Sequence, residues 1–141
     1  MKKLNLFDQY IFEAELLDQC PLATQDLESN TKNRDRAISA EHINYGPLNL
    51  TDEEYWSHLA EHWKTTVDVA KKSTCGNCAA FDISPRMQKC MPGEIEDGEG
   101  RLGYCWMHDF KCHSARTCYT WAAGGPIQTD EISKSWEKRN N

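Results

Sequence analysis

Cys75-Gly76-Asn77-Cys78 opens a segment that holds six of the seven cysteines of this 141-residue chain. Two cysteines separated by two residues let one tight turn present both thiolates to the same metal centre. Glycine and proline interrupt the segment repeatedly, as in small modules whose order comes from metal ligation. Only 39% of the residues are hydrophobic. The small hydrophobic core that they can form needs an additional stabilising element, such as a bound metal. We therefore predict a small irregular metal-stabilised domain with few helices and short strands, preceded by one or two amphipathic helices.

The cysteines admit three interpretations, of which a disulfide framework is the first. Their order is Cys75-x2-Cys78-x11-Cys90-x14-Cys105-x6-Cys112-x5-Cys118, with Cys20 standing apart. Three disulfides would use an even set of six thiols. However, the first residues are interrupted by acidic side chains where a signal peptide would be apolar, and a reducing cytosol keeps thiols free. We therefore expect a cytoplasmic protein in which Cys20 is a free thiol.

The second interpretation is a structural zinc site. Cys105-Trp106-Met107-His108 has the spacing of a second ligand pair, so that Cys75, Cys78, Cys105 and His108 would form a Cys3His site. Such a site would stabilise a structural or protein-interaction module without redox activity. It leaves Cys90 without a role. A histidine beside a cysteine, as at His108 and His113, more often makes hydrogen bonds than ligates a metal.

The third interpretation is an iron–sulfur cluster, which requires four thiolates and a largely apolar shell that limits water. Aromatic and aliphatic side chains surround these cysteines, although the same residues would also make an ordinary core. Three short motifs favour the cluster: they are Cys75-Gly76-Asn77-Cys78-Ala79-Ala80-Phe81, Cys90-Met91-Pro92-Gly93 and Gly103-Tyr104-Cys105.

In this order the three motifs resemble the ligand segments of high-potential iron–sulfur proteins. The resemblance implies one [4Fe–4S] cluster bound by Cys75, Cys78, Cys90 and Cys105, and one-electron transfer rather than catalysis as the function. It also implies that Phe81 and Tyr104 lie near the cluster and shield it. The redox or protein partner is not indicated by the sequence.

The chain departs from that family by continuing beyond Cys105. Cys118-Tyr119-Thr120-Trp121 is similar to the C-x-x-W near the family's C-terminus, so Cys118 competes with Cys105 for the fourth ligand position. Cys112 and Cys118 otherwise remain as non-ligands able to form a local disulfide. Residues 46–126 also resemble small proteins of marine bacteriophages, which implies a viral protein acting in the host cytoplasm.

The pattern along the chain predicts three regions. Residues 1–45 combine an amphipathic helix over 4–19 with a polar arm over 24–45. Residues 46–127 contain a helix over 52–71, begun by a capping box at Thr51 and Glu54, and then the cysteine-rich module. Trp56, Leu59 and Trp63 recur along this helix at helical spacing, and we expect this stripe to pack on the module. Residues 128–141 form a polar tail with possible helical spacing.

Charge and hydropathy argue against two classes of partner. The formal net charge is −6, and no cluster of lysine and arginine appears that would follow a phosphate backbone. No run approaches the roughly 20 apolar residues that a membrane span needs. We therefore expect binding neither to nucleic acid nor to a membrane.

Overall fold

The computed structural model describes residues 20–91 and 93–140, and these form six α-helices and one small antiparallel sheet. The coarse expectation of helices with short strands is confirmed. None of the helices in these residues is long and apolar enough to cross a membrane. The helices are α1 (Leu22–Gln25), α2 (Leu27–Ser39), α3 (Glu53–Trp63), α4 (Val67–Lys72), α5 (Pro85–Cys90) and α6 (Asp130–Asn140); the strands are β1 (Phe81–Asp82), β2 (Glu96–Asp97), β3 (Gly100–Cys105) and β4 (Phe110–His113).

Strand β3 is the centre of the sheet, because β1, β2 and β4 all pair with it in antiparallel orientation. Cys105 lies opposite Phe81 on one side and Phe110 on the other, and Gly103 lies opposite Cys112. Since side chains alternate between faces along a strand, these residues share one face of the sheet. Tyr104 lies on the opposite face and belongs to a different hydrophobic cluster, so the expectation that it shields the cysteine site is wrong.

Residues 24–45 do not form the predicted arm, because most of them belong to α2 and the turn after it. Leu27 is 80% exposed, so this helix lacks the regular apolar spacing that predicts a helix from sequence. Polar contacts fix it to the rest of the protein instead. Asn30 Oδ1 accepts a hydrogen bond of 2.8 Å from the backbone of β4, and Asn33 donates to the turn before it. Ile43 and Tyr45 then enter the core.

The predicted helix over 52–71 is two helices. Asp52, rather than Thr51, caps the start of α3 by accepting a hydrogen bond from the Tyr55 N–H. The helix stops at Lys64, whose φ of 57° places it in the left-handed region. Thr66 then caps α4.

The C-terminal residues are a packed helix rather than a free tail. Ser133 of α6 is fully buried, and Trp136 contacts two of the hydrophobic clusters. Arg86 at the start of α5 pairs with Glu137, and its backbone N–H donates to Asp130 Oδ1 at 2.9 Å. The polar face of α6 is therefore fixed to α5. The predicted helix over 4–19 lies outside the described residues.

The core consists of three hydrophobic clusters on different sides of the sheet. The first contains five cysteines together with Tyr45, Phe81 and Phe110. The second lies around Tyr104, Trp106 and Met87. The third joins α3 to α4 through Trp56 and Leu59, and Tyr119 packs against it. The apolar stripe of α3 thus packs on the cysteine-rich module, as the sequence predicted.

Candidate metal centre

Five free cysteines line one cavity: Cys75, Cys78, Cys105, Cys112 and Cys118. All five are buried, with exposed fractions between 2% and 9%. The other lining side chains are Phe81, Met107 and Trp121. The cavity between these side chains has a volume of about 20 Å³. Its lining therefore consists of thiols and of apolar or aromatic side chains.

A short 3-10 turn over Cys75–Asn77 positions the thiols of Cys75 and Cys78. Thr74 and Asn77 form a reciprocal capping box around it, and the Cys78 N–H donates to the Cys75 carbonyl at 3.0 Å. The indole N–H of Trp121 closes the turn from outside, donating to the Thr74 carbonyl at 2.9 Å and to Asn77 Oδ1 at 3.0 Å. Trp121 therefore fixes the turn and lines the cavity at the same time.

The sheet supplies the next two thiols. Cys105 ends β3 and Cys112 lies on β4, diagonally across the same face. Gly103 makes room on that face, because a Cβ at position 103 would lie 2.5 Å from the ring of Phe81. A glycine at this position thus allows Phe81 to cover the sheet beside the cavity.

The Thr120 hydroxyl lies 3.1 Å from the Cys118 sulfur, within hydrogen-bond distance. Nearby backbone N–H groups act to lower the pKa of Cys78, Cys105 and Cys118, because they favour the thiolate form. Polar groups close to the sulfurs are among the features that tune iron–sulfur sites.

Burial opposes ionisation at most of these thiols. It raises the pKa of Cys78, raises the pKa of Cys112 well above its ordinary value, and raises the pKa of Cys118 to about 12. The pKa of Cys105 is lowered, and the neighbouring Cys112 thiol is the largest cause. Thiolates here need a positive partner inside the cavity.

Cys90 does not belong to this group, which corrects the predicted ligand set. It forms a disulfide with Cys20, with the Cα atoms 5.5 Å apart. Cys90 ends α5 and packs in the second cluster, beside Tyr104 and Trp106. It is thereby separated from the cavity by the sheet. The expectation that Cys20 is a free thiol is wrong for the same reason. The structure brings together Cys75, Cys78 and Cys105 of the predicted four.

Cys118 and Trp121 of the C-x-x-W motif both line the cavity. The motif marked Cys118 as an alternative to Cys105, whereas in the structure both thiols line the cavity and Cys90 does not. No local disulfide joins Cys112 to Cys118, since both are free thiols. Cys112 had no sequence signal of its own, because its place depends on its pairing opposite Gly103.

Neither histidine lines the cavity. His108 Nε2 lies 2.6 Å from the Thr120 hydroxyl, and burial, with Arg36 and His42 nearby, lowers its pKa. His113 Nε2 lies 3.0 Å from Asp97 Oδ2 on an exposed turn. The Cys3His arrangement is therefore not assembled in this structure.

Within residues 20–91 and 93–140, no three histidine, cysteine or carboxylate side chains converge closely enough to hold a single metal ion. The five thiols instead surround the cavity from several sides. Comparison of the chain with protein-family models, with curated proteins and with solved structures found no match in any of the three.

Proposed function

We propose that this protein binds one [4Fe–4S] cluster through Cys75, Cys78, Cys105 and Cys118 and serves as a one-electron carrier. The observation that carries the proposal is that five buried cysteine thiols line one apolar cavity. A four-iron cluster requires such a set of thiols, because each thiolate binds a different iron.

The choice of four among five thiols follows from their positions and burial. Cys75 shares the capped turn with Cys78, so both present their sulfurs from one side. Cys105 ends β3, and the Cys118 sulfur lies 3.1 Å from the Thr120 hydroxyl. Cys112 is the most deeply buried of the five, at 2% exposed, and burial raises its pKa well above the ordinary value.

The residues around the cavity suit electron transfer. A bound cluster supplies a one-electron couple, whose potential depends on burial and on hydrogen bonds to sulfur. Phe81, Met107 and Trp121 limit the access of water to the cavity. The ring centres of Trp121 and Trp63 of α3 lie 5.9 Å apart. The partly exposed ring of Trp121 is therefore placed between the cavity and the surface of α3.

A zinc ion bound by thiols of the same cavity is the second candidate. The Cys-x2-Cys turn and the small size of the cavity, about 20 Å³, favour it. Because no three of the described side chains converge on one point, the thiols would have to move together around the ion. Zinc needs little room, because its sulfur ligands lie about 2.3 Å from the ion. In that case the metal would hold the fold together and leave the surface to bind a partner.

Anaerobic purification followed by metal analysis separates the two candidates. We expect brown protein with iron and acid-labile sulfide in equal amounts. Single replacements by serine at Cys75, Cys78, Cys105 or Cys118 should strongly reduce the iron content. Cys20→Ser and Cys90→Ser are matched controls that should keep it. Colourless protein with one equivalent of zinc would overturn the cluster, and loss of iron in Cys90→Ser would overturn the ligand assignment.

A further inference from the structure

A larger cleft lies on the face of the sheet opposite the cysteine cavity. Its volume is about 520 Å³, which is within the size range of small-molecule sites. The buried rings of Tyr104 and Trp106 form its floor. Residues 20–23, helix α2, the turn between β3 and β4, and helix α6 supply the rest of the lining. Four separate parts of the chain therefore meet around this cleft.

Two opposite charges line the cleft without neutralising each other. Lys32 lies on α2, and Asp109 lies in the turn between β3 and β4. The ion pairs found among the described residues include neither of these side chains. Both charges are therefore available to a ligand that carries the complementary groups.

The hydrogen bonds around Asp109 use donors and leave acceptors. The Tyr104 hydroxyl donates to Asp109 Oδ1 at 3.1 Å. The side-chain amides of Asn33 and Asn140 donate to the backbone carbonyls of Asp109 and Trp106, at 2.6 Å and 2.7 Å. Among the described residues, no hydrogen bond uses Asp109 Oδ2 or the side-chain oxygen of either asparagine. Since these oxygens can only accept, the matching part of a ligand is a donor such as an ammonium group.

The other lining groups define the rest of the ligand. Lys32 has only donors on its side-chain nitrogen, so it suits a carboxylate. Residues 21–23 form an apolar wall, in which Leu22 is 69% exposed. Covering this leucine with an aliphatic group would remove apolar surface from water. The cleft thus matches a small molecule with an ammonium group, a carboxylate and an aliphatic part.

We propose that this cleft binds a free aliphatic amino acid, with the ammonium group on Asp109 and the carboxylate on Lys32. The aliphatic side chain packs against Leu22. A simple amine would leave Lys32 unpaired, and a simple carboxylic acid would leave Asp109 unpaired, so the zwitterion fits the cleft better than either. The site is separated from the proposed metal centre by the sheet, and the inference holds whichever metal is bound there.

Calorimetric titration of the full chain with L-leucine tests the ligand class. Leucinamide lacks the carboxylate and N-acetyl-leucine lacks the ammonium group, so the two derivatives are matched controls. We expect leucine to bind and each derivative to bind at least about tenfold more weakly, because each loses a charge-assisted hydrogen bond. Equal affinity of leucine and either derivative would overturn the proposal. So would the absence of binding by leucine and by all the other standard amino acids.

Two charge-removing variants test the location of the site. Lys32→Gln and Asp109→Asn should each weaken leucine binding by about tenfold or more. Asparagine suits position 109, because Asp109 has a φ of 55° and asparagine tolerates this left-handed region. Lys72→Gln and Asp68→Asn remove the same charges on α4, away from the cleft, and should bind leucine normally. Unchanged affinity in either cleft variant, or equal losses in the α4 variants, would overturn the site. Neither result would affect the proposed metal centre, which is tested by its iron content.

Discussion

The backbone of Gly125 lies directly against the carbonyl group of Cys78, so closely that a Cβ at position 125 would come within 1.7 Å of the carbonyl oxygen. The Gly125 N–H also donates to the Asn77 carbonyl at 3.2 Å. The glycine-rich loop after Trp121 is therefore part of the wall that holds the first cysteine turn in position.

Replacement of Gly125 by alanine should displace this turn. Because the obstacle is backbone, the chain must shift, and we expect a loss of about 1 to 3 kcal/mol in the free energy of unfolding. The metal content should fall as well, since Cys78 moves with its carbonyl. Denaturant unfolding and metal analysis measure both effects. Gly98→Ala is the control, because a Cβ at Gly98 meets nothing within 4 Å. Equal stability of the two variants would contradict the prediction.

Loss of the disulfide should destabilise the protein without emptying the metal centre. The bond joins residues separated by 70 positions, and closing a loop of that length stabilises a fold by up to about 4 kcal/mol in the chain-entropy description. Under oxidising conditions, the Cys90→Ser variant should therefore have a lower free energy of unfolding than the original protein. A reductant that breaks the disulfide should remove the difference. Cys20→Ser should behave in the same way, and a large difference between these two variants would argue against the pairing.

The indole N–H of Trp121 should stabilise the first cysteine turn. Trp121→Phe keeps an aromatic ring in the cavity wall but removes the hydrogen bonds to Thr74 and Asn77. We expect a cost of about 1 kcal/mol in stability and faster metal release to a chelator. Trp63→Phe is the matched control. It also removes an indole hydrogen bond, to the Tyr119 carbonyl, but leaves the contacts of the cysteine turn in place. Metal release at the same rate from both variants would show that the turn does not depend on Trp121.

The pH dependence of stability should contain a contribution from His108. Its pKa is lowered in the folded protein, first by burial, so the unfolded chain takes up the proton more readily as the pH falls. Stability should therefore decrease below the ordinary histidine pKa of about 6.5. His108→Gln should show a smaller decrease, whereas replacement of exposed His58 by glutamine should not change it. Unfolding free energies measured on both sides of that pH provide the comparison. An unchanged decrease in His108→Gln would refute this assignment.

Local patterns in the sequence predicted the parts of the structure that depend on neighbouring residues. The Cys75 and Cys78 turn, the start of α3 and its buried stripe at Trp56 and Leu59 are of this kind. The helix break at Lys64 was missed because the apolar spacing continues through it. Thr66, which caps the next helix, was a usable signal.

The remaining errors concern contacts between distant residues. Helix α2 is fixed by Asn30 and Asn33 bonding to the region of β4, about 80 positions away in the chain. Such polar contacts leave no periodic pattern. The error at Cys90 is of the same type. The motif Cys90-Met91-Pro92-Gly93 favoured Cys90 as a ligand, but α5 carries it to the face of the sheet opposite the cavity, where Cys20 is its partner.

The disulfide and the proposed metal centre close the chain into two loops that overlap. One loop runs from Cys20 to Cys90 and the other from Cys75 to Cys118, and they share residues 75–90. A protease that cuts one peptide bond anywhere between positions 20 and 118 would therefore produce two pieces that stay connected. After a cut between Cys78 and Cys90 the two pieces are linked twice. They separate only when the disulfide is reduced and the metal is also removed.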